Sequence, residues 1–471
     1  MRKFLSVGFI LVLCLFIAAC SANNENVTVE SEPPADISQV APSLPPQSQP
    51  PAPQEEEEPE QEPELETQAA STPPQPPPQG VRVAAGQYSS FAIQQPSGSL
   101  WGWGLFGEME WGENIPSPAP TSVTPKKIMD DVGWVSAGGW LGLDSPVLAI
   151  KSDMSLWAFG NNTHGQFGDG TTISRDEPIR VMDNIAHVSV GAFHTMAIKT
   201  DGSLWTWGGN WQGQLGDGTT DDRHVPVKIM DNVIAISAGA GHSMAVTSDL
   251  VLWGWGHNGT GRIGYAPTAD ELNPIHPSPI KIMDDVINVS AGFDHTLVIK
   301  NDSSLWAFGN NAMGRLGVGP PIIPSETPWN GTASPSPNPI KILDGVVAIA
   351  AGNCDSLAIT SDGNLWGWGD IAGWMQMGDY NVDMNTPIER LWELGFERNR
   401  LAATPYVIMK NVASVSTWNG HVLASRTDGS VWAFGDNRYA QIGDGGEYGF
   451  PEDGSMPSRN SPVLVNFPAN R

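Results

Sequence analysis

The chain has 471 residues, of which 40% are hydrophobic, with 52 glycines, 40 prolines and 19 tryptophans. This composition is typical of a globular protein, and the chain is long enough for one large domain or for two or three ordinary ones. The formal net charge is −27, and residues 81–471 alone carry 39 acidic against 22 basic side chains, which argues against a nucleic-acid partner because phosphate binding needs a basic surface.

The first twenty residues predict export and lipid attachment. Arg2 and Lys3 precede the apolar run 4–16, which is too short to span a membrane and is typical of a secretory signal peptide. The run ends in IAAC, which resembles the lipobox of bacterial lipoproteins, in which the cysteine becomes the lipidated first residue. We therefore expect a signal peptide at 1–19, lipidation at Cys20, and a protein anchored to a bacterial membrane on the side away from the cytoplasm. An ordinary cleaved signal followed by a chance cysteine is the alternative.

Residues 21–80 contain no basic residue, many prolines and glutamines, and the acidic stretch EEEEPEQEPELE. Such a segment cannot bury enough apolar surface to offset the entropy of ordering it. The sequence therefore predicts a lipidated cysteine and a disordered acidic tether at 20–80, followed by a folded domain at 81–471.

Seven copies of one repeat occupy the rest of the chain. The pattern Trp, any residue, Trp or Phe, Gly recurs at intervals of 48 to 66 residues. Its first tryptophans are Trp101, Trp157, Trp205, Trp253, Trp306, Trp366 and Trp432. Apolar runs on either side of Asp201 and Gly202 predict a β-hairpin, whose turn needs positive φ angles. Seven small sheets, each covered on both faces by its neighbours, predict an all-β, seven-bladed β-propeller.

The repeats ISAGAGHSMAVTSDLVLWGWG and TDGSLWTWGGNWQGQLGDGTTDDRHVPVKIMDNV resemble the regulator of chromosome condensation repeat. The resemblance covers all seven copies and implies a seven-bladed propeller with a histidine inside the blade. Four copies carry this residue, as His194, His242, His295 and His421. It does not imply one function, because the family includes a nuclear guanine nucleotide exchange factor, eukaryotic signalling scaffolds and a secreted bacterial inhibitor of β-lactamases.

The recurrent tryptophans are interpreted as core residues, because a side chain at the same phase of every blade fills the same space between blades. Trp205 and Trp207 are expected on one face of their strand and Leu204 on the other. Trp157→Ala is accordingly predicted to cost about 3 to 5 kcal/mol. The four histidines are interpreted as structural, with a metal site as the alternative; neither a metal nor another cofactor is expected.

The glycine-rich tails NNTHGQFGDGTT and NWQGQLGDGTT predict tight turns. They lack the lysine of a phosphate-binding loop and the alternating oxygen ligands of a calcium loop. The sequence also contains no nucleophile elbow or zinc signature, so we expect no catalytic residues and no enzymatic activity.

The repeats differ mainly between the turn glycine and the closing strand. This separation is 10 residues in repeats two and three and 15 to 27 in repeats four to seven, and insertions at one phase emerge on one face of the ring. Aromatic residues outside the repeat pattern form a candidate interaction surface: Trp211, Trp329, Trp374, Trp392, Phe396, Tyr448 and Phe450. They either bind a partner or cover their own loops.

These features predict a monomeric, non-enzymatic propeller that binds an extracytoplasmic protein, and scaffolds or inhibits an envelope or secreted protein. The membrane is contacted through the lipid anchor only. The alternative is a polysaccharide or peptidoglycan binder, or a glycan-active enzyme, that uses the same aromatic residues.

Overall fold

The computed structural model describes residues 82–106, 122–140, 145–266, 274–319, 336–371, 401–449 and 457–468. Within these ranges the chain forms β-strands and a single 3-10 helix, η1 (Ala312–Gly314). The strands are β1 (Arg82–Ala85), β2 (Ser89–Gln94), β3 (Ser99–Gly104), β4 (Ser122–Met129), β5 (Val132–Ala137), β6 (Val147–Lys151), β7 (Leu156–Gly160), β8 (Arg175–Met182), β9 (Ile185–Val190), β10 (His194–Lys199), β11 (Leu204–Gly208), β12 (Arg223–Met230), β13 (Val233–Ala238), β14 (His242–Thr247), β15 (Leu252–His257), β16 (Ile275–Met283), β17 (Val286–Ala291), β18 (His295–Lys300), β19 (Leu305–Gly309), β20 (Ser336–Leu343), β21 (Val346–Ala351), β22 (Asp355–Thr360), β23 (Leu365–Asp370), β24 (Leu401–Met409), β25 (Val412–Trp418), β26 (His421–Arg426), β27 (Val431–Asp436) and β28 (Ser458–Leu464).

Four consecutive antiparallel strands make each blade, from β1–β4 in blade 1 to β25–β28 in blade 7. The first strand of each blade contacts the first strands of both neighbours, so the first strands surround the axis and the fourth strands form the outer edge. Contact between β25 and β1 closes the ring. The predicted all-β, seven-bladed propeller is confirmed.

The ring closes through side-chain packing. Among the described strands none completes a blade begun at the other end of the chain, since β1 pairs with β2 and β28 with β27. Phe467, which follows β28, instead packs on blade 1, with its ring centroid 5.8 Å from that of Trp101 and 6.1 Å from that of Trp103. The C-terminal segment therefore contacts the third strand of blade 1 through aromatic rings, and the first and last strands of the described chain share no sheet.

One hydrophobic cluster lies at each of the seven junctions between blades. At the junction of blades 2 and 3, Trp207 packs with Phe167, while Leu204 belongs to the junction of blades 3 and 4. The alternation predicted for SLWTWG is confirmed. Each blade is therefore held by apolar surface that its neighbours remove from water.

The two rings of the Trp-x-Trp/Phe-Gly element are not equally buried. The first ring is partly exposed in blades 2 to 7; Trp157, for example, donates its Nε1–H to Ser155 Oγ at 2.9 Å and lies under Lys151. The predicted cost of Trp157→Ala is too high, because this ring is only partly withdrawn from water. The second ring is buried in every blade, and in blade 1 the first ring is buried as well; the second rings are Trp103, Phe159, Trp207, Trp255, Phe308, Trp368 and Phe434.

The hairpins between second and third strands need positive φ at one residue. In blade 3 the predicted hairpin is present, with Gly202 at a φ of +80° and its N–H bonded to the Lys199 carbonyl at 2.9 Å. Asp201 stays at negative φ and accepts hydrogen bonds from the N–H and Oγ of Ser203 at 3.0 and 2.6 Å. The turn therefore places a single glycine in the left-handed region.

Met154→Gly is expected to raise the free energy of unfolding by about 1 kcal/mol. Met154 holds in blade 2 the position of Gly202, with a φ of +62° and an exposed side chain. A residue with a Cβ pays roughly 1 to 2 kcal/mol for this conformation, and the freer unfolded chain of glycine offsets part of the gain. Urea denaturation measures the change. Met154→Ala keeps the strain, so an alanine variant as stable as the glycine variant would contradict the explanation.

Candidate interaction surface at one end of the ring

Strand directions give the ring two chemically different ends. In blade 3, His194 begins the second strand opposite Gly208, which ends the third strand. The loop between first and second strands and the variable segment after the third strand therefore share one end, here named the insertion end. The opposite end, named the turn end, carries the hairpins and the links between blades.

The repeated histidines connect neighbouring blades. His194 Nε2 lies 2.7 Å from Ser243 Oγ of the next blade, and that hydroxyl donates to the Gln214 carbonyl at 2.7 Å. Because a hydroxyl has one hydrogen, Nε2 must be the donor in the first bond. The equivalent pairs are His242 with Thr296, His295 with Ser356 and His421 with Ser90. This geometry gives the histidines a structural role at the junctions.

Burial keeps these histidines neutral. The loss of hydration lowers the pKa of His194 to about 3 and that of His421 to about 4, and it lowers the pKa of the other two well below the ordinary value. In blade 6 the same position holds Asp355, which accepts a hydrogen bond from Thr417 Oγ1 of blade 7 at 2.5 Å. Burial raises the pKa of Asp355 to about 7. These groups stabilise junctions, and their burial keeps them away from a ligand at the surface.

The glycine-rich tails are turns that pack on the next blade. Trp207 donates its Nε1–H to the Gln166 carbonyl of blade 2 at 2.7 Å. Gly168 lies against the same indole, where an added Cβ would approach Nε1 to 2.9 Å, so only glycine fits. In the next tail, Asp217 accepts from the Thr219 N–H at 3.0 Å. The predicted tight turns are confirmed, and packing against the next blade's indole requires glycine at Gly168 and Gly216.

Aromatic side chains close the axis at the insertion end. Trp418 of blade 7 donates its Nε1–H to the Gly139 carbonyl of blade 2 at 2.9 Å. Trp140 of blade 2 and Phe293 of blade 5 have ring centroids 4.4 Å apart. Phe193 of blade 3 packs against the same cluster. Residues from four blades thus form an apolar surface around the axis.

Trp211 extends this surface to blade 3's rim. Its ring centroid lies 4.6 Å from that of Phe193 and 5.3 Å from that of His164, and the residue remains 41% exposed. We name Trp140, Phe193, Trp211 and Phe293 the aromatic patch. Its rings are already held by neighbours, so a partner that docks on them orders few side chains.

Two of the predicted surface residues have described positions. Trp211 belongs to the aromatic patch, and Tyr448 is exposed near the insertion end of blade 7. The others lie outside the described residues, as does Cys20: Trp329, Trp374, Trp392, Phe396 and Phe450.

Trp140, Phe193 and Phe293 were not predicted from the sequence, because they lie in the short loops between first and second strands and not in the tails and insertions after the third strands. A signal was available in the two positions after the recurrent glycine. These positions are small in blade 4, Ala240 and Gly241, and include an aromatic residue in blades 1, 2, 3 and 5.

Charge is unevenly divided between the ends of blades 2 and 3. The insertion-end segments 161–178 and 209–226 hold six acidic and two basic residues. At the turn end the same two blades hold four acidic and four basic residues. Two of these residues form an ion pair in which Arg180 Nη2 and Asp183 Oδ1 lie 2.5 Å apart. These turn-end residues are Lys151, Asp153, Arg180, Asp183, Lys199, Asp201, Lys228 and Asp231. The part of the aromatic patch on blades 2 and 3 therefore lies in acidic surroundings.

Two further observations apply only to the residues that the structure describes. There, no three His, Cys, Asp or Glu side chains are grouped so as to hold a metal ion. No helix in the same ranges is long and apolar enough to cross a membrane.

Comparisons with known proteins give the same architecture. The family model described as "RCC1-like domain" matches residues 45–330, and "Regulator of chromosome condensation (RCC1) repeat" matches residues 346–370. The human "Probable E3 ubiquitin-protein ligase HERC6" is 30% identical over 174 residues, which cover 36% of this chain and 15% of that protein. The human "Regulator of chromosome condensation" is 25% identical over 169 residues, or 36% of this chain and 35% of that protein. The matched segment is thus a minor part of each relative.

Among solved structures, that of Prp20p from Saccharomyces cerevisiae has a TM-score of 0.57 at 16% identity and covers 83% of this chain and 87% of that chain. That structure is described together with the binding of Prp20p to Gsp1p and histones. At this identity the likeness concerns the fold alone.

Proposed function

This chain belongs to the family of RCC1-like domains, and we propose that it is a non-enzymatic propeller that binds a partner protein through the aromatic patch at its insertion end. The observation that carries the proposal is the patch itself, four aromatic residues drawn from blades 2, 3 and 5 and fixed by mutual contacts. Aromatic anchors held in place dominate the energetics of many protein interfaces.

The placement of the repeat residues supports binding rather than catalysis. The histidines that could act as acids or bases are buried and neutral within junctions, His194 and His421 among them. Catalytic groups need access to a substrate and a pKa near the working pH. The surface left at the insertion end of blades 2 and 3 is aromatic and acidic.

We further propose that the propeller works outside the cytoplasm, on a lipid anchor at Cys20 and the acidic tether 20–80, and scaffolds or inhibits an envelope or secreted protein. The support is the sequence of the first eighty residues, with its short apolar run and lipobox-like IAAC. Gsp1p and histones, which Prp20p binds, are not proposed as partners, since an exported chain would not meet them.

The test is affinity capture of the tagged full chain, after cross-linking, from the cells that produce it. Trp211→Ser alters the patch, and Ile287→Ser is its matched control, because Ile287 lies at the turn end and is also 41% exposed. A partner protein should be enriched by the parent and the control, and reduced at least about tenfold by Trp211→Ser, as expected for an exposed aromatic anchor. Equal capture by both variants, or no capture by the parent, would contradict the proposal. Binding to purified cell wall that survives protease treatment of the wall would favour the glycan alternative.

A further inference from the structure

The acidic surroundings of Trp211 narrow the chemistry of the partner. We propose that Trp211 and His164 with Asp221 and Asp222 form a subsite for an arginine side chain on the partner protein. The inference rests on the proposed function, and it assigns to one part of the aromatic patch the group that it receives.

The aromatic side of the subsite is Trp211, fixed between two other rings. Phe193 meets it at 62° between ring planes, and His164 contacts it at 51°. Partial burial lowers the pKa of His164, so near neutral pH this ring is uncharged and does not repel a cation. The exposed part of the indole can therefore lie against a guanidinium plane.

The acidic side adjoins it directly. Asp222 Oδ1 accepts a hydrogen bond at 2.7 Å from the N–H of Asn210, the residue before Trp211. Asp221 precedes it in the chain and is exposed. The neighbouring Arg223 is bonded to Asp217, with Nε and Oδ2 2.8 Å apart. The Asp222 carboxylate thus lies next to the backbone that leads into Trp211 and interacts electrostatically with His164, and Asp221 is its exposed neighbour. The Arg223 guanidinium makes its ion pair with Asp217 and also interacts electrostatically with Asp221.

An arginine fits this combination better than other groups. A guanidinium is planar, stacks on an indole and directs N–H donors towards carboxylates at its edge. A lysine offers a compact charge that stacks less well. Phosphates, nucleic acids and anionic lipids are repelled, since the described insertion-end segments of blades 2 and 3 hold six acidic against two basic residues.

The experiment measures binding of a capped tetra-arginine peptide to the full chain by calorimetry at physiological salt. Trp211→Leu and the pair Asp221→Asn with Asp222→Asn should each weaken binding at least about tenfold. Asparagine keeps an oxygen acceptor for the Asn210 N–H, and thermal melting shows that the fold persists. The matched control, Glu55→Gln with Glu56→Gln, removes the same charge from the tether and should change the affinity less than about twofold.

An equal loss of peptide affinity in the aspartate and the glutamate double variants would show general attraction to an acidic chain and would overturn the subsite. An absence of peptide binding to the parent would overturn it as well. Equal binding of a tetra-lysine peptide would overturn the assignment to arginine. Capture separates this inference from the proposed function. If a partner is lost with Trp211→Ser but retained with the double variant Asp221→Asn and Asp222→Asn, the proposed binding face is supported and the arginine subsite is contradicted. Peptide binding that depends on the subsite, without any captured protein, supports the subsite and contradicts the proposed function.

Discussion

Acidification from pH 7 to pH 4 is expected to unfold the propeller. The folded pKa of each buried histidine lies below its unfolded value of about 6.5, so the stabilisation is fully present above pH 6.5 and is lost as the pH falls. With folded pKa values of about 3 for His194 and about 4 for His421, each contributes a loss of about 3 kcal/mol by pH 4. Two such losses already approach the total stability of a typical domain, about 5 to 15 kcal/mol.

Asp355 acts in the opposite direction. Burial raises its pKa to about 7, so the folded state holds a proton that the unfolded state releases near pH 4, and stability rises as the pH falls between these values. One carboxyl opposes four histidines. The net expectation is a loss of stability.

Urea denaturation followed by tryptophan fluorescence at pH 7, 6, 5 and 4 measures this dependence. His242→Gln should flatten the slope by about one proton, because a glutamine amide can donate to Thr296 and does not titrate. His224→Gln makes the same substitution at an exposed position outside the junctions and is the control for it. Equal midpoints at pH 7 and pH 4 would contradict the role given to the buried histidines.

Trp207→Ala is expected to lower the free energy of unfolding by about 3 to 5 kcal/mol. Trp207 is fully buried at the junction of blades 2 and 3, where it packs with Leu148 and Phe167. Its truncation opens a cavity between two sheets that cannot close independently, because both are fixed in the ring. Denaturant unfolding of the variant and the parent measures the difference.

Two matched variants identify the cause. Trp207→Phe should cost only about 1 kcal/mol, since phenylalanine fills the same position in blades 2, 5 and 7 and the Gln166 carbonyl still accepts from Thr195 at 2.8 Å. Trp205→Ala should cost about 1 to 2 kcal/mol, because Trp205 is partly exposed. If Trp205→Ala destabilised the protein as much as Trp207→Ala, the distinction between the two rings would be wrong.

The fold follows from the sequence because a ring of similar blades repeats the same local contacts. The recurrence of Trp-x-Trp/Phe-Gly counts the blades, and the alternation in SLWTWG places Leu204 and Trp207 on opposite faces, as observed. The turn chemistry of Asp201 and Gly202 is equally local. Each of these features depends on neighbours a few residues apart, so it can be predicted from one repeat, and the other repeats support the prediction.

The candidate site depended on the tertiary structure. Trp140 and Phe293 are 153 positions apart in the chain, yet their rings meet across the axis, as do Trp418 and the Gly139 carbonyl. These residues break the repeat, so periodicity carries no information about their partners. Which ring of each element is buried, how Phe467 closes the ring and which side chains meet at the insertion end all depend on the distance between blades. Packing of the whole ring sets that distance. The sequence by itself determined the number of blades and the local structure within each blade.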